Sequence, residues 1–214
     1  MKKNIIIAIA VVVGFYLILY FWNQENNSEK QHPTIHSSAA KPDDFLMEAK
    51  DYEEMARHDR SAYSLEQAIQ AIWKLEKDVD DESFDRLEHT IHKLEEVHKH
   101  ILRDSIPSSE MLKAFEYALG NLAHAELEVA EKYSKSNQTS KAKTALKYAQ
   151  VHVKNALLLH HSEDSTRQSG LHLLHEMDSL FGLESLSDPE NTASLDQLIK
   201  EVDALVSKID DSKE

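Results

Sequence analysis

The sequence contains no cysteine, and glycine and proline each occur only four times in 214 residues. Without cysteine the chain can form no disulfide, no thiolate zinc site and no covalent attachment to a c-type haem. An all-β sandwich or barrel needs a turn about every 8–12 residues, and turns depend on glycine and proline. The scarcity of both argues against an all-β fold and favours long helices with few joints.

Positive charge is also scarce, because 24 basic residues face 38 acidic ones and the formal net charge is −14. Nucleic acid binding depends on a cationic surface, so we expect no nucleic acid partner. Histidine, by contrast, is abundant, with 13 residues. Imidazoles titrate between about pH 5 and 8. Protonation of the histidines would therefore remove most of the net negative charge.

Common catalytic motifs are missing as well, including His-Glu-x-x-His, a glycine-rich phosphate loop and the Gly-x-Ser-x-Gly elbow. Glu95 and His98 match the Glu-x-x-His element of di-iron bundles, but that chemistry needs a second copy on another helix. No second copy occurs between residues 44 and 214. We therefore predict that the protein is not an enzyme and that it uses no cofactor, apart from the divalent transition metal considered below.

One long apolar run lies near the N-terminus. The 18 residues from Ile5 to Trp22, IIIAIAVVVGFYLILYFW, carry no charge. As a helix they would extend about 27 Å, close to the hydrocarbon core of about 30 Å. Lys2 and Lys3 precede the run, and aromatic residues crowd its far end as in an interfacial belt. The positive-inside rule then leaves the N-terminus in the cytoplasm and everything after the run outside.

The alternative for this run is a cleaved signal peptide, whose apolar stretch is about 7–15 residues long and is closely followed by small residues. Here amides and acids follow the run, and the nearest cluster of small residues ends at Ala40. We therefore predict an uncleaved signal-anchor that binds the lipid bilayer. Residues 1–22 would form the cytoplasmic stub and anchor of a single-pass protein in the cytoplasmic membrane, with a periplasmic or extracellular C-terminal domain.

The rest of the chain divides into three segments. Residues 23–43 are rich in Asn, Ser and Pro without an apolar period, which predicts a flexible linker. From Asp44 onward apolar residues recur at helical spacing and predict a bundle domain over residues 44–182. Residues 183–214 are predicted to form a second linker and a C-terminal amphipathic helix. The predicted fold class is all-α: one transmembrane helix, a flexible linker and an extracytoplasmic multi-helix bundle.

Two capping boxes mark predicted helix starts. Ser64 with Gln67 precedes an apolar stripe, and Ser194 with Gln197 precedes the stripe of the last helix. A third helix is predicted to point Phe84, Leu87, Ile91, Leu94 and Ile101 inward.

Two further apolar faces bear on partners. A helix over about residues 140–161 has an alanine-rich face, and the last helix has an a/d seam of two heptads from Leu195 to Ile209. An independent coiled coil normally needs at least three or four heptads or so. The last helix therefore either docks on its own bundle or packs on a partner or second copy. Gly120, in the middle of another helix, predicts close helix packing or a slight bend.

The stretch LEHTIHKLEEVHKHIL, residues 87–102, carries four histidines and three glutamates. At about 100° per residue, most of these side chains lie opposite the apolar stripe. Their i,i+4 pairs could each offer two ligands, whereas zinc needs four ligands, or three plus water. An outward pair, His172 and Glu176, on the sixth predicted helix, over about residues 164–181, could complete a site if the two helices met. The candidate metal ligands are His89, His92, Glu96, His100, His172 and Glu176.

Three other histidines carry a different prediction. His98 lies on the apolar seam of the third helix, while His152 and His160 border the alanine-rich face. Such positions usually hold neutral, hydrogen-bonded core histidines.

Two functions are consistent with these patterns. We expect a membrane-anchored, extracytoplasmic and non-enzymatic module that binds another protein, or a second copy as a homo-oligomer, through the alanine-rich face or the last helix. The alternative is a histidine-rich protein that binds a divalent transition metal or senses metal or pH, since imidazole suits zinc, copper and nickel.

Overall fold

Helices account for all regular secondary structure in the computed structural model, which describes residues 39–75, 79–103, 106–160 and 164–211. Within these ranges the predicted all-α helical bundle is confirmed. The predicted transmembrane segment, Ile5 to Trp22, and most of the predicted linker lie outside the described residues. The helices are α1 (Lys41–Glu54), α2 (His58–Leu75), α3 (Asp81–Ile101), α4 (Ser108–Lys135), α5 (Thr139–Leu159), α6 (Ser165–Phe181) and α7 (Pro189–Asp211).

The longest helix, α4, is the centre of the bundle. It packs against α3, α5 and α7 and also contacts α1. Every residue from 118 to 127 is buried, because neighbours cover this part of α4 on all sides. A helix surrounded in this way is usually apolar all round. Asn121, His124 and Glu126 in this stretch are instead polar, and all three are buried.

The core has two parts that meet along α4. The first joins α1, α2, α3 and the N-terminal half of α4 around the fully buried Phe115. The second joins the C-terminal half of α4 with α5, α6 and α7. The alanine-rich face of α5 lies inside, where small side chains let α4 approach closely. Its alanines Ala142, Ala145, Ala149 and Ala156 are all buried.

The last helix docks on its own bundle. The a/d seam of α7 is buried against α4 and α6, and it contributes Leu195, Leu198, Val202, Leu205 and Ile209 to the second part of the core. Of the two alternatives for this helix, the structure therefore shows the first. In the described residues α7 belongs to the same bundle as α6, although the sequence suggested a boundary at residue 183.

Both predicted capping boxes are wrong, because the helices start earlier. α2 begins at His58, so Ser64 is a buried residue of the helix interior. α7 begins at Pro189, a residue suited to a first helical turn, and the Ser194 hydroxyl donates a hydrogen bond to the Glu190 carbonyl. Serine inside a helix commonly bonds back to the preceding turn in this way.

Two other sequence predictions need correction. α1 begins at Lys41 with a proline in its first turn, so the final residues of the predicted linker are helical and Asp43 is buried. Phe84 was expected to point inward, but its side chain is 41% exposed. Its neighbour Ser83 is buried instead, since the Ser83 hydroxyl has hydrogen-bonding partners inside the bundle.

Gly120 permits the contact between α4 and α7. A Cβ atom at Gly120 would lie 2.6 Å from Cγ2 of the buried Val206. Gly120→Ala is therefore expected to lower the free energy of unfolding by about 1–3 kcal/mol through overpacking, despite the better helix propensity of alanine. Urea unfolding of the full chain measures the change.

The control for this prediction is Gly182→Ala, because a Cβ at Gly182 meets nothing closer than 3.5 Å. That variant should stay within about 0.5 kcal/mol of the wild type. Adding Val206→Ala to Gly120→Ala should relieve the clash, so the two substitutions should be coupled in a double-mutant cycle. Strictly additive effects would contradict the proposed contact.

Candidate functional site

The histidine-rich face of α3 points outward as predicted. His89, His92, Glu96 and His100 are exposed. The His89 ring meets the edge of Tyr117 at 6.1 Å between ring centroids. A hydrogen bond from Lys99, with Nζ 2.6 Å from Oε1, lowers the pKa of the Glu96 carboxyl.

The second part of the predicted metal site lies on a different side of the bundle. His172 and Glu176 are exposed on α6, which packs against α5 and α7, whereas α3 packs against α2 and α4. Helix packing thus does not bring the two outward faces together. In the described part of the chain no three His, Cys, Asp or Glu residues form a group that could hold a metal ion. The metal-binding hypothesis stays a prediction from the sequence.

The first polar network in the core links α1 to α5. His152 is completely buried, and its Nδ1 lies 2.7 Å from Oδ1 of Asp43. Asn155 donates a hydrogen bond to the other carboxylate oxygen of Asp43 at 2.7 Å. Burial alone would lower the pKa of His152, but the charge and hydrogen bond of Asp43 raise it above its ordinary value. His152 is therefore a core residue as predicted, and Asp43 stabilises its charged form.

Glu126 faces the same interior region from α4. Burial raises the pKa of its carboxyl to about 7; Asp43 adds to the rise and His152 opposes it. Among the described residues, Oε2 of Glu126 and Nε2 of His152 have no hydrogen-bonding partner. Glu126 also lines an apolar cavity of about 10 Å³ between α2, α3 and α4.

A second polar network connects α3, α4 and α7 around His124. The Ser83 hydroxyl donates to Glu128 at 2.6 Å and lies 3.5 Å from Nδ1 of His124. On the other side, Nε2 of His124 is 3.2 Å from Oδ1 of Asp203, which also pairs with Arg86 at 2.9 Å. Oδ1 of Asp203 accepts no hydrogen bond from either His124 or Arg86, so both contacts are electrostatic. The network fixes α7 against α3 and α4.

Ser83, His124 and Asp203 have the residue types of a nucleophilic triad, but their arrangement is structural. The Ser83 hydroxyl proton goes to Glu128, and both Ser83 and His124 are buried away from any substrate. Burial lowers the pKa of His124 by more than Asp203 raises it. Burial also raises the pKa of the Glu128 carboxyl to about 7, and a hydrogen bond with Asp80 acts in the same direction.

His160 and His98, which the sequence placed in the core, are both only partly buried. His160 is partly buried and bridges two carboxylates: Nδ1 lies 3.0 Å from Glu116 and Nε2 lies 2.9 Å from Asp164. Burial lowers the pKa of His160, but the two carboxylates together raise it by more than burial lowers it. The net shift of the pKa is therefore upward. His98 is half-buried rather than a core residue, because the adjacent Val97 occupies the inward position.

Sequence reasoning missed His124, Glu126 and Asp43. A helix with a single inward face would leave His124 and Glu126 outside the core, but the middle of α4 is covered on all sides. The available signal was the presence of isolated polar residues within a long run of small and apolar ones on α4. Asp43 gave no signal, since it stands in a polar segment that resembles a linker.

A groove between α5 and α6 exposes apolar side chains at the surface. It has a volume of about 520 Å³ and is lined mainly by leucines, with basic side chains at its edge. Leu158 is 57% exposed and Leu171 is 50% exposed, while Leu157 forms part of the buried floor. Lys154 and Arg167 lie at the rim, and Arg167 also donates a hydrogen bond to the Leu157 carbonyl.

Comparison with known proteins returns no match: no protein-family model, no curated protein and no solved structure shows significant similarity to this chain. In the part of the chain that the structure describes, no helix is both long enough and apolar enough to cross a membrane.

Proposed function

We propose that the protein is a single-pass, membrane-anchored module whose helical bundle lies outside the cytoplasm and binds another protein without catalysing a reaction. The anchor and its orientation rest on the uncharged run from Ile5 to Trp22 and the lysines before it. The binding role rests on the groove between α5 and α6. Clustered apolar side chains exposed to solvent commonly mark interaction sites on soluble domains.

The groove takes the place of the two surfaces suggested by the sequence. Both the alanine-rich face of α5 and the apolar seam of α7 are buried within the bundle, so neither can serve a partner while the bundle stays folded. Leu158 on α5 and Leu171 on α6, both in the groove, remain exposed.

The absence of cysteine permits one experiment on both parts of this proposal. Gln168→Cys places a thiol on α6 one turn from Leu171, and Lys200→Cys places one on the exposed side of α7. Each full-length variant is treated, in intact spheroplasts, with a membrane-impermeant thiol reagent that carries a photo-crosslinker. We expect both thiols to react from outside, and only the thiol at residue 168 to give a discrete protein adduct.

The outcomes separate orientation from binding. If both thiols react only after the cells are broken, the proposed topology is wrong. If both react from outside but give the same adducts, the groove is not the binding surface. The mass of a specific adduct at residue 168 distinguishes a second copy of the chain from a different protein.

A further inference from the structure

Charge is unevenly distributed over the bundle. α5 contains Lys141, Lys143, Lys147 and Lys154 and no Asp or Glu, although the whole chain has a net charge of −14. The other helices combine acidic and basic residues or carry an acidic excess, as α1 and α7 do. α5 is therefore the most basic of the described helices, and one of its lysines, Lys154, lines the groove.

The lysines next to the groove are also unpaired. Elsewhere, exposed lysines have a carboxylate within one helical turn, as in Lys99 with Glu96, Lys135 with Glu131 and Lys200 with Asp196. In the described residues neither Lys147 nor Lys154 forms an ion pair, because α5 supplies no acid at i−4 or i+4. Lys147 is one heptad before Lys154, so both lie on the same side of α5.

We propose that the groove between α5 and α6 binds an acidic amphipathic helix of another protein. Apolar side chains at i, i+3, i+4 and i+7 of such a helix would contact Leu158 and Leu171, and its flanking carboxylates would pair with Lys147 and Lys154. This is the helix-in-groove mode of recognition with a charged rim that sets orientation and partner choice. The inference rests on the proposed function, because it names the partner of the same surface.

Two other occupants fit the observations less well. A second copy of the chain has acidic helices, α1 and α7, but their apolar faces are buried in its own core. An anionic bilayer would extend beyond the groove and face the acidic remainder of a body with net charge −14. A single helix would contact only the basic region, because charges further away than about 8 Å are largely screened at physiological salt.

The test uses the full-length chain in nanodiscs of neutral lipid. A fluorescent helical peptide with leucines at i, i+3, i+4 and i+7 and glutamates elsewhere is compared with a twin in which every glutamate is lysine. We expect saturable binding of the acidic peptide, at least about tenfold tighter than that of the twin. Lys147→Glu with Lys154→Glu should weaken binding about tenfold or more. Leu171→Ala should also weaken it, by about tenfold.

Lys135→Glu with Lys200→Glu is the matched control, since it makes the same charge change away from the groove and should leave the affinity unaltered. Equal affinity for the two peptides, or no effect of the α5 charge reversal, would overturn the inference. It would also be overturned if vesicles of phosphatidylcholine with phosphatidylglycerol bind in place of the acidic peptide. If the thiol at residue 168 captures a protein but the acidic peptide does not bind, the proposed function stands and the assignment of partner chemistry fails.

Discussion

Asp43→Ala is expected to lower the free energy of unfolding by about 3–5 kcal/mol, because it removes one partner of a buried ion pair. His152 would then remain fully buried, and its Nδ1 would lose the hydrogen bond to Asp43. The side-chain amide of Asn155 would lose its acceptor as well. Leaving buried polar groups unsatisfied is more destabilising than the net value of the bonds they made. Asp43 also holds the first turn of α1 against α5, so α1 should fray first.

Urea unfolding of the full chain in neutral detergent measures the effect, and amide hydrogen exchange in α1 locates it. The matched control is Asp44→Ala, which removes an exposed carboxylate from the adjacent residue and should change stability by less than about 0.5 kcal/mol. The double variant Asp43→Ala, His152→Leu should recover much of the loss, since it removes both charges together. A single variant as stable as the control would contradict the pairing.

The pH dependence of this pair has a definite sign. The folded-state pKa of His152 is raised above its ordinary value of 6.5. Its contribution to stability is therefore fully present below pH 6.5 and is lost as the pH rises through the folded-state pKa. Asp43→Ala should remove this part of the pH dependence.

Glu126→Met is expected to stabilise the protein above neutral pH. Burial raises the pKa of Glu126 to about 7 from an ordinary value of 4.5. The folded state thus binds a proton that the unfolded state has already released between these two values. Stability from this group is present at low pH and falls as the pH rises through about 7. Between about pH 5.5 and pH 8 the wild type should lose about 2 kcal/mol through Glu126 alone.

Methionine matches the length of glutamate and suits the apolar cavity beside Glu126. Its advantage over the wild type should therefore be small at about pH 5.5 and reach about 2 kcal/mol at about pH 8. Glu128 titrates in the same direction and should leave some pH dependence in the variant. Glu110→Met, at an exposed position of the same helix, is the control. Parallel stability curves for the wild type and Glu126→Met would contradict a buried, ionisable Glu126.

The fold was largely readable from local patterns. The 3.6-residue period predicted a helical bundle from Asp44 onward, and Pro107 lies directly before the start of α4 at Ser108. Gly120 also correctly indicated close packing, because only a residue without a side chain fits against Val206. Helix starts were less reliable, since Ser64 and Ser194 resemble caps in sequence but lie inside their helices.

The internal networks could not be predicted in the same way. Asp43 and His152 are separated by 109 positions along the chain, and no local pattern links them. The same holds for His124 and Asp203, which meet only because α7 crosses α4 at Gly120. The outward orientation of His89, His92 and His100 followed from helical periodicity, whereas the partners of the buried histidines depended on which helices pack together.

The sequence by itself determined an acidic, cysteine-free chain, the helical character of the described bundle and the outward face of α3, because composition and a 3.6-residue period are local properties. Only the tertiary structure decided that the alanine-rich face and the last helix are covered, that Glu126 and His152 are enclosed, and that the leucine groove stays open beside unpaired lysines. The physical reason is that a helix face becomes buried only when another helix packs on it. The pattern of apolar residues along one helix does not specify which neighbour that will be.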